Sequence, residues 1–178
     1  MKTTSIVALL TGLISTVSAQ TCSNLGGWLA QSVLGTYSHI AGYMYTTDSS
    51  KSCLLPGNYI GTCLRLSNPA QNTMLVLQPD GNAVVYSVWY ASTCNYGNGC
   101  ISPVWSTGSN NQGVIAVKLN NGKFYVDTAI PNTGGTVKWD SGKIGSVSGT
   151  RLCMQNDGNL VLYDSNYSVV VWNSGTNR

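Results

Sequence analysis

The chain has 178 residues and a mass of 18.9 kDa, is 43% hydrophobic and 8% charged, and carries a formal net charge of +3. That apolar share excludes disorder by composition, and the length suits one domain after processing. The basic residues are few and scattered, which excludes a nucleic-acid-binding face; with no Glu, six acidic residues and a lone His39, acid–base catalysis has little to work with.

The first nineteen residues read as an address. Lys2 supplies a basic start, Ile6 to Val17 an apolar stretch, and Val17-Ser18-Ala19 a small-residue cleavage site. This pattern predicts a secretory signal peptide over 1–19, hence an extracellular protein. No later apolar run approaches the ~18 residues of a bilayer span, so no membrane span is expected. Residues 20–51, with Trp28, Tyr37, Tyr43 and Tyr45, are too few to build their own core and read as an N-terminal extension packed on a main body over 52–178.

All six cysteines follow the leader: Cys22, Cys53, Cys63, Cys94, Cys100 and Cys153. An even count in a secreted chain predicts three disulfides. Cys94 and Cys100 close a small Gly/Asn-rich loop and are expected to pair; the other four are open. Zinc is disfavoured, because no CxxC pair occurs and His39 is distant. No metal or cofactor is expected.

From about Cys53 the chain repeats. Leu77-Gln78-Pro79-Asp80-Gly81-Asn82-Ala83-Val84-Val85-Tyr86 nearly superimposes on Met154-Gln155-Asn156-Asp157-Gly158-Asn159-Leu160-Val161-Leu162-Tyr163. An eroded copy runs from Leu119 to Asp127. Each copy has a Trp-containing closer, at Trp105, Trp139 and Trp172, spaced 34 and 33 residues apart. Leu75, Leu77, Ala83 and Val85 alternate with Val76, Gln78, Val84 and Tyr86, which predicts strands with one packed and one open face. Asp80-Gly81 and Asp157-Gly158 predict hairpin turns. Three small sheets that cannot bury their inner faces singly imply a threefold arrangement, with the three tryptophans in its core.

The polar residues of each hairpin converge. Asn82, Val84 and Tyr86 share a face of the outgoing strand, and Gln78 and Asp80 flank them on the incoming one. Gln155, Asp157, Asn159, Val161 and Tyr163 build the same patch. Amides, a carboxylate and a phenol around an apolar spot suit a sugar, with hydroxyls at its edge and C–H groups on its face.

Both stretches match Q-x-D-x-N-x-V-x-Y at every fixed position, and over roughly Cys53 to Arg178 the chain resembles the bulb-type mannose-binding lectins, the monocot lectin family. The resemblance implies an all-β fold, a β-prism II of three four-stranded antiparallel sheets with pseudo-threefold symmetry. It implies a non-enzymatic protein whose partners are mannose-containing glycans or glycoproteins, in a family where dimers and tetramers are common. By it, Asp80, Asn82, Asp157 and Asn159 would contact mannose O2, Gln78 and Gln155 O3, and Tyr86 and Tyr163 O4, with Val84 and Val161 under the ring. In the third copy Leu119, Asn121, Lys123, Tyr125 and Asp127 fall at the fixed positions, so no site is expected there. The competing reading keeps the scaffold as an interaction or cell-wall protein that no longer binds mannose. A glycosidase using Asp80 and Asp157 is disfavoured, because the repeat puts them on different sheets pointing apart. Asn166-Tyr167-Ser168 is a glycosylation sequon in an expected turn.

Overall fold

The computed structural model describes residues 44–45, 51–62, 65–70, 72–88, 101–142 and 148–178. The leader and the Cys94–Cys100 loop lie outside the described residues. Among the described residues the regular structure is all β, and no helix is long and apolar enough to cross a membrane. Three antiparallel sheets form. The first unit is β4 (Arg65–Ser67), β5 (Thr73–Leu77), β6 (Ala83–Val88) and β7 (Ile101–Ser106), in that spatial order. The middle unit is β10 (Val137–Asp140), β9 (Lys123–Asp127), β8 (Ala116–Asn120) and β3 (Tyr59–Gly61). The last is β2 (Lys51–Leu54), β11 (Arg151–Gln155), β12 (Leu160–Tyr163) and β13 (Val170–Asn173), with the two-residue β1 (Met44–Tyr45) added outside β2.

The threefold repeat in the sequence covers three strands per sheet. The fourth comes from residues 51–67: β2, β3 and β4 follow one another in the chain yet each completes a different sheet. This lacing fastens the three units together. Cys53 and Cys153 face each other on β2 and β11 and form a disulfide.

Each closer strand skips one residue against its partner just before its tryptophan. Tyr86 pairs with Pro103 and Val85 with Trp105; Tyr163 pairs with Val170 and Leu162 with Trp172; Asp127 pairs with Val137 and Val126 with Trp139. A bulge sharpens the local twist and re-aims the next side chain, here towards the shared core. The three indoles meet one another with ring centroids 5.4 to 5.8 Å apart. The chain's single Phe, Phe124, lies against all three at 4.8 to 6.2 Å. The expectation of core tryptophans agrees with this packing.

The expected open face is narrower than the alternation implied. Met74, Val76 and Val84 on the outward row are 1%, 1% and 3% exposed. β5 and β6 are the central strands of their sheet, so side chains of flanking strands crowd that row from both sides. The row opens at its turn end, where Gln78, Asp80 and Asn82 stand.

Candidate functional site

Each hairpin turn is stapled from within. Gln78 and Asn82 close it by a backbone bond of 2.9 Å, and Gln155 and Asn159 do so at 3.0 Å. The enclosed Pro79-Asp80-Gly81 and Asn156-Asp157-Gly158 end on glycines with φ of 84° and 87°. At Gly81 a Cβ would also come within 3.1 Å of Val114, so a side chain here would push on the chain leading to the next unit by a few tenths of an ångström as well as strain the turn. One carboxylate oxygen of Asp80 accepts the Asn82 N–H at 2.9 Å, and Asp157 accepts that of Asn159 at 2.9 Å. Both carboxylates are exposed and each keeps its second oxygen for a ligand.

The half-buried asparagines are oriented by residues that the hairpin motif does not contain. Asn82 Oδ1 accepts the Thr107 hydroxyl at 3.2 Å and the Ser109 backbone N–H at 3.3 Å. Asn159 Oδ1 accepts the Ser174 hydroxyl at 3.1 Å and the Thr176 N–H at 3.3 Å. A backbone N–H can only donate, so it fixes the oxygen inward and turns each amide NH2 outward, beside the carboxylate. The hydroxyls are held in turn: Ser109 Oγ donates to Gly81 O at 2.8 Å and Thr176 Oγ1 to Gly158 O at 2.7 Å. Thr107-Gly108-Ser109 and Ser174-Gly175-Thr176 stand in the sequence as matching triplets after two of the three tryptophans, and that recurrence is the signal for them.

At the far end the amide of Gln155 donates through Nε2 to Tyr163 Oη at 2.6 Å, and Gln78 donates to Tyr86 in the same way. Each phenol accepts from the amide, and each glutamine turns Oε1 away from it as an acceptor. Burial, helped by the nearby Asp80 charge, pushes the Tyr86 phenol above its ordinary value of 10.0. Between the two ends Val84 and Val161 are 3% and 2% exposed, so each presents only a narrow methyl edge. The structure therefore brings the five motif residues of each hairpin together on one small surface, twice, on two different sheets.

The third unit departs further than its sequence suggests. Lining it up on the Trp-paired positions, Val85, Val126 and Leu162, puts Lys123 where Asn82 and Asn159 stand, and Asp127 where the tyrosines stand. On the incoming strand, however, Val117 matches Leu75 and Leu152, so Asn120, not Leu119, holds the glutamine position. Leu119 is buried in the core. The turn is the two-residue Asn121-Gly122, one residue shorter than the others, both with positive φ of 48° and 74°. Lys123 Nζ pairs with Asp140 at 3.1 Å, and Lys118 Nζ with the buried Asp127 at 2.8 Å. The polar patch is replaced by two ion pairs that satisfy each other.

No family model matches the chain, and no curated protein matches it. Among solved structures, a Marasmius oreades lectin is similar with a TM-score of 0.51 at 23% identity, over 73% of this chain and 93% of its own. A monomeric monocot mannose-binding lectin from Gastrodia elata gives a TM-score of 0.50 at 23% identity, over 72% of this chain and 96% of its own. At this identity the likeness speaks to the fold: the chain has the β-prism II architecture of these proteins.

Proposed function

We propose that the chain is a secreted carbohydrate-binding protein of the bulb-type mannose-binding lectin family, recognising mannose or mannose-containing glycans through two equivalent sites. One observation carries the reading. In both hairpins the asparagine oxygen is pinned inward, so its NH2 faces out from the same turn whose Asp is exposed, and a donor and an acceptor are offered to one ligand hydroxyl. A sugar hydroxyl matches that pair, because its proton goes to Asp80 or Asp157 while its oxygen accepts from Asn82 or Asn159. Glutamine Oε1 then takes a second hydroxyl proton, and at the first site the Tyr86 O–H donates to a third oxygen.

The groups are fixed before the ligand arrives, which lowers the ordering cost of binding. The patch is nonetheless shallow, so a monosaccharide is expected to bind in the millimolar range, about −4 kcal/mol. Two sites on different sheets let a branched or repeating glycan engage both, and linkage then raises the apparent affinity by orders of magnitude. We assign no catalysis to Asp80 or Asp157, since each sits on its own turn and is tied to its own backbone, whereas glycoside hydrolysis needs two carboxyl groups within about 10 Å. No metal is required by this donor set, so binding is expected to persist in a chelator.

The test is binding of the full chain to immobilised mannan with free mannose as competitor. Release by millimolar mannose supports the reading. A folded chain that ignores mannan, or that binds it indifferently to mannose, would leave a scaffold used for something other than mannose recognition.

A further inference from the structure

The turn that joins β12 to β13 carries a feature the paired site does not need. Among the described residues four non-glycine residues have positive φ: Asn111, Asn121, Asn132 and, at 58°, Tyr167. Asparagine tolerates this region; a bulky aromatic enters it only where its surroundings over-determine it. Asp164 does so here. Its Oδ1 accepts the N–H groups of Ser168 at 2.7 Å and Val169 at 3.1 Å, and its Oδ2 accepts the Ser168 hydroxyl at 2.6 Å. The Ser168 hydroxyl, with these backbone bonds, holds the Asp164 carboxyl below its ordinary range.

The strained turn sets the Tyr167 ring edge-on to Tyr163, with centroids 5.6 Å apart. Tyr163 is the residue whose phenol closes the second site through Gln155. The Arg151 guanidinium lies 4.9 Å from the Tyr167 ring centroid, and its Nε donates to Ser165 O at 3.1 Å. A half-buried, immobilised ring and a cation with further N–H donors thus continue the second site beyond Tyr163.

We propose that Tyr167 and Arg151 form an adjoining sugar subsite, which takes the next residue of a glycan whose first residue is held by Gln155, Asp157, Asn159 and Tyr163. The inference rests on the carbohydrate-binding reading above. A neutral hexose fits this surface: its C–H groups pack on the aromatic ring while its hydroxyls accept from the guanidinium. The second site is then a reader of oligosaccharides.

The experiment isolates the second site with Asn82→Asp alone, which removes the donor of the first site, in a host that leaves the Asn166 sequon bare. Mannose and linear mannotrioses of different linkage are titrated by calorimetry. At least one mannotriose is expected to bind about tenfold more tightly than mannose. Tyr167→Gly and Tyr167→Asn both suit the positive φ, so the turn survives. Each is expected to reduce the mannotriose preference to about twofold or less while mannose affinity and melting temperature hold. An unchanged preference in both variants overturns the subsite, and so does equal loss of mannose and mannotriose, which would make Tyr167 a support for Tyr163. Mannose binding with no mannotriose preference sinks this inference alone. Absence of any sugar binding by the folded background sinks the carbohydrate reading and this inference with it.

Discussion

Two substitutions at Asn82 separate what its oxygen does from what its nitrogen does. The oxygen accepts two bonds that tie the hairpin to the closer, from Thr107 and Ser109. Asn82→Ala removes both. At about 0.5–1.5 kcal/mol net for each hydrogen bond, the loss is about 1–3 kcal/mol. For a domain of this size that lowers the melting temperature by about 3–10 °C. Outward-facing site asparagines would be expected to be replaceable without cost to the fold, but the inward Oδ1 makes alanine costly. Asn82→Asp keeps an oxygen in that place, so stability should change by less than about 1 kcal/mol, the scale of an exposed charge added near Asp80. It removes the outward NH2 and sets two carboxylates against one ligand hydroxyl. Losing a donor to a desolvated oxygen costs about 1–3 kcal/mol, or roughly 5- to 150-fold in affinity at the first site. Thermal melts of both variants, with mannose calorimetry in an Asn159→Asp background, give the two readouts. An Asn82→Ala melt within 1 °C of the parent, a margin of about 0.3 kcal/mol, would refute the pinned amide. An Asn82→Asp variant that bound mannose normally would refute its role as ligand donor.

Phe124→Ala should cost about 3–5 kcal/mol by urea denaturation, because the ring fills the space among three indoles and is fully buried. The phenol of Tyr86 must stay protonated to donate, and its value lies above the ordinary one, so its share of stability is full below pH 10 and lost only as pH rises through the raised value. Mannose binding at the first site should therefore stay level past pH 10; a fall centred below that pH would contradict the assignment. Lys123→Asn should create no third site, since the turn stays one residue short and the Lys118–Asp127 pair remains; calorimetric stoichiometry should stay at two. Lys118→Met should cost about 3–5 kcal/mol by leaving the Asp127 carboxylate buried without its partner.

Much of this could be read before the fold was in hand, and the reasons are local. Asp80-Gly81 and Asp157-Gly158 specify turns because only a residue free of a Cβ clash takes the required φ, and the polar residues around them fall on one face by strand geometry alone. The fourth strand of each sheet was not legible. β3 and β4 have three residues each, too few for a period of two to show, and the partners of β2 and β3 lie far along the chain. The third turn misled for a different reason. Leu119-Asn120-Asn121-Gly122 aligns with the other copies without a gap by eye, and only the pairing of Val117 with Val126 shows the missing residue. The orienting hydroxyls could have been found by comparing closers: Thr-Gly-Ser and Ser-Gly-Thr follow Trp105 and Trp172, whereas Ser141-Gly142-Lys143 follows Trp139.

That last difference joins the loss of a site to the retention of a fold. All three closers keep the hydroxyl that caps the outgoing strand: Thr107 bonds Ala83 N at 3.2 Å, Ser141 bonds Phe124 N at 3.1 Å, and Ser174 bonds Leu160 N at 3.0 Å. The next hydroxyl, at Ser109 and Thr176, serves the turn that carries the asparagine, and the third closer has Lys143 there instead. The capping bond is a requirement of the sheet, so it recurs threefold. The second bond belongs to the site, so it recurs twofold. The position after the asparagine follows the same division. Ala83 and Leu160 sit beside the hairpins that carry the polar patches, whereas Phe124, beside Lys123, is the ring that fills the axis. The middle unit thus gives the prism the largest fully buried side chain among the described residues and two internal ion pairs, and it holds in register the two sheets that carry the polar patches.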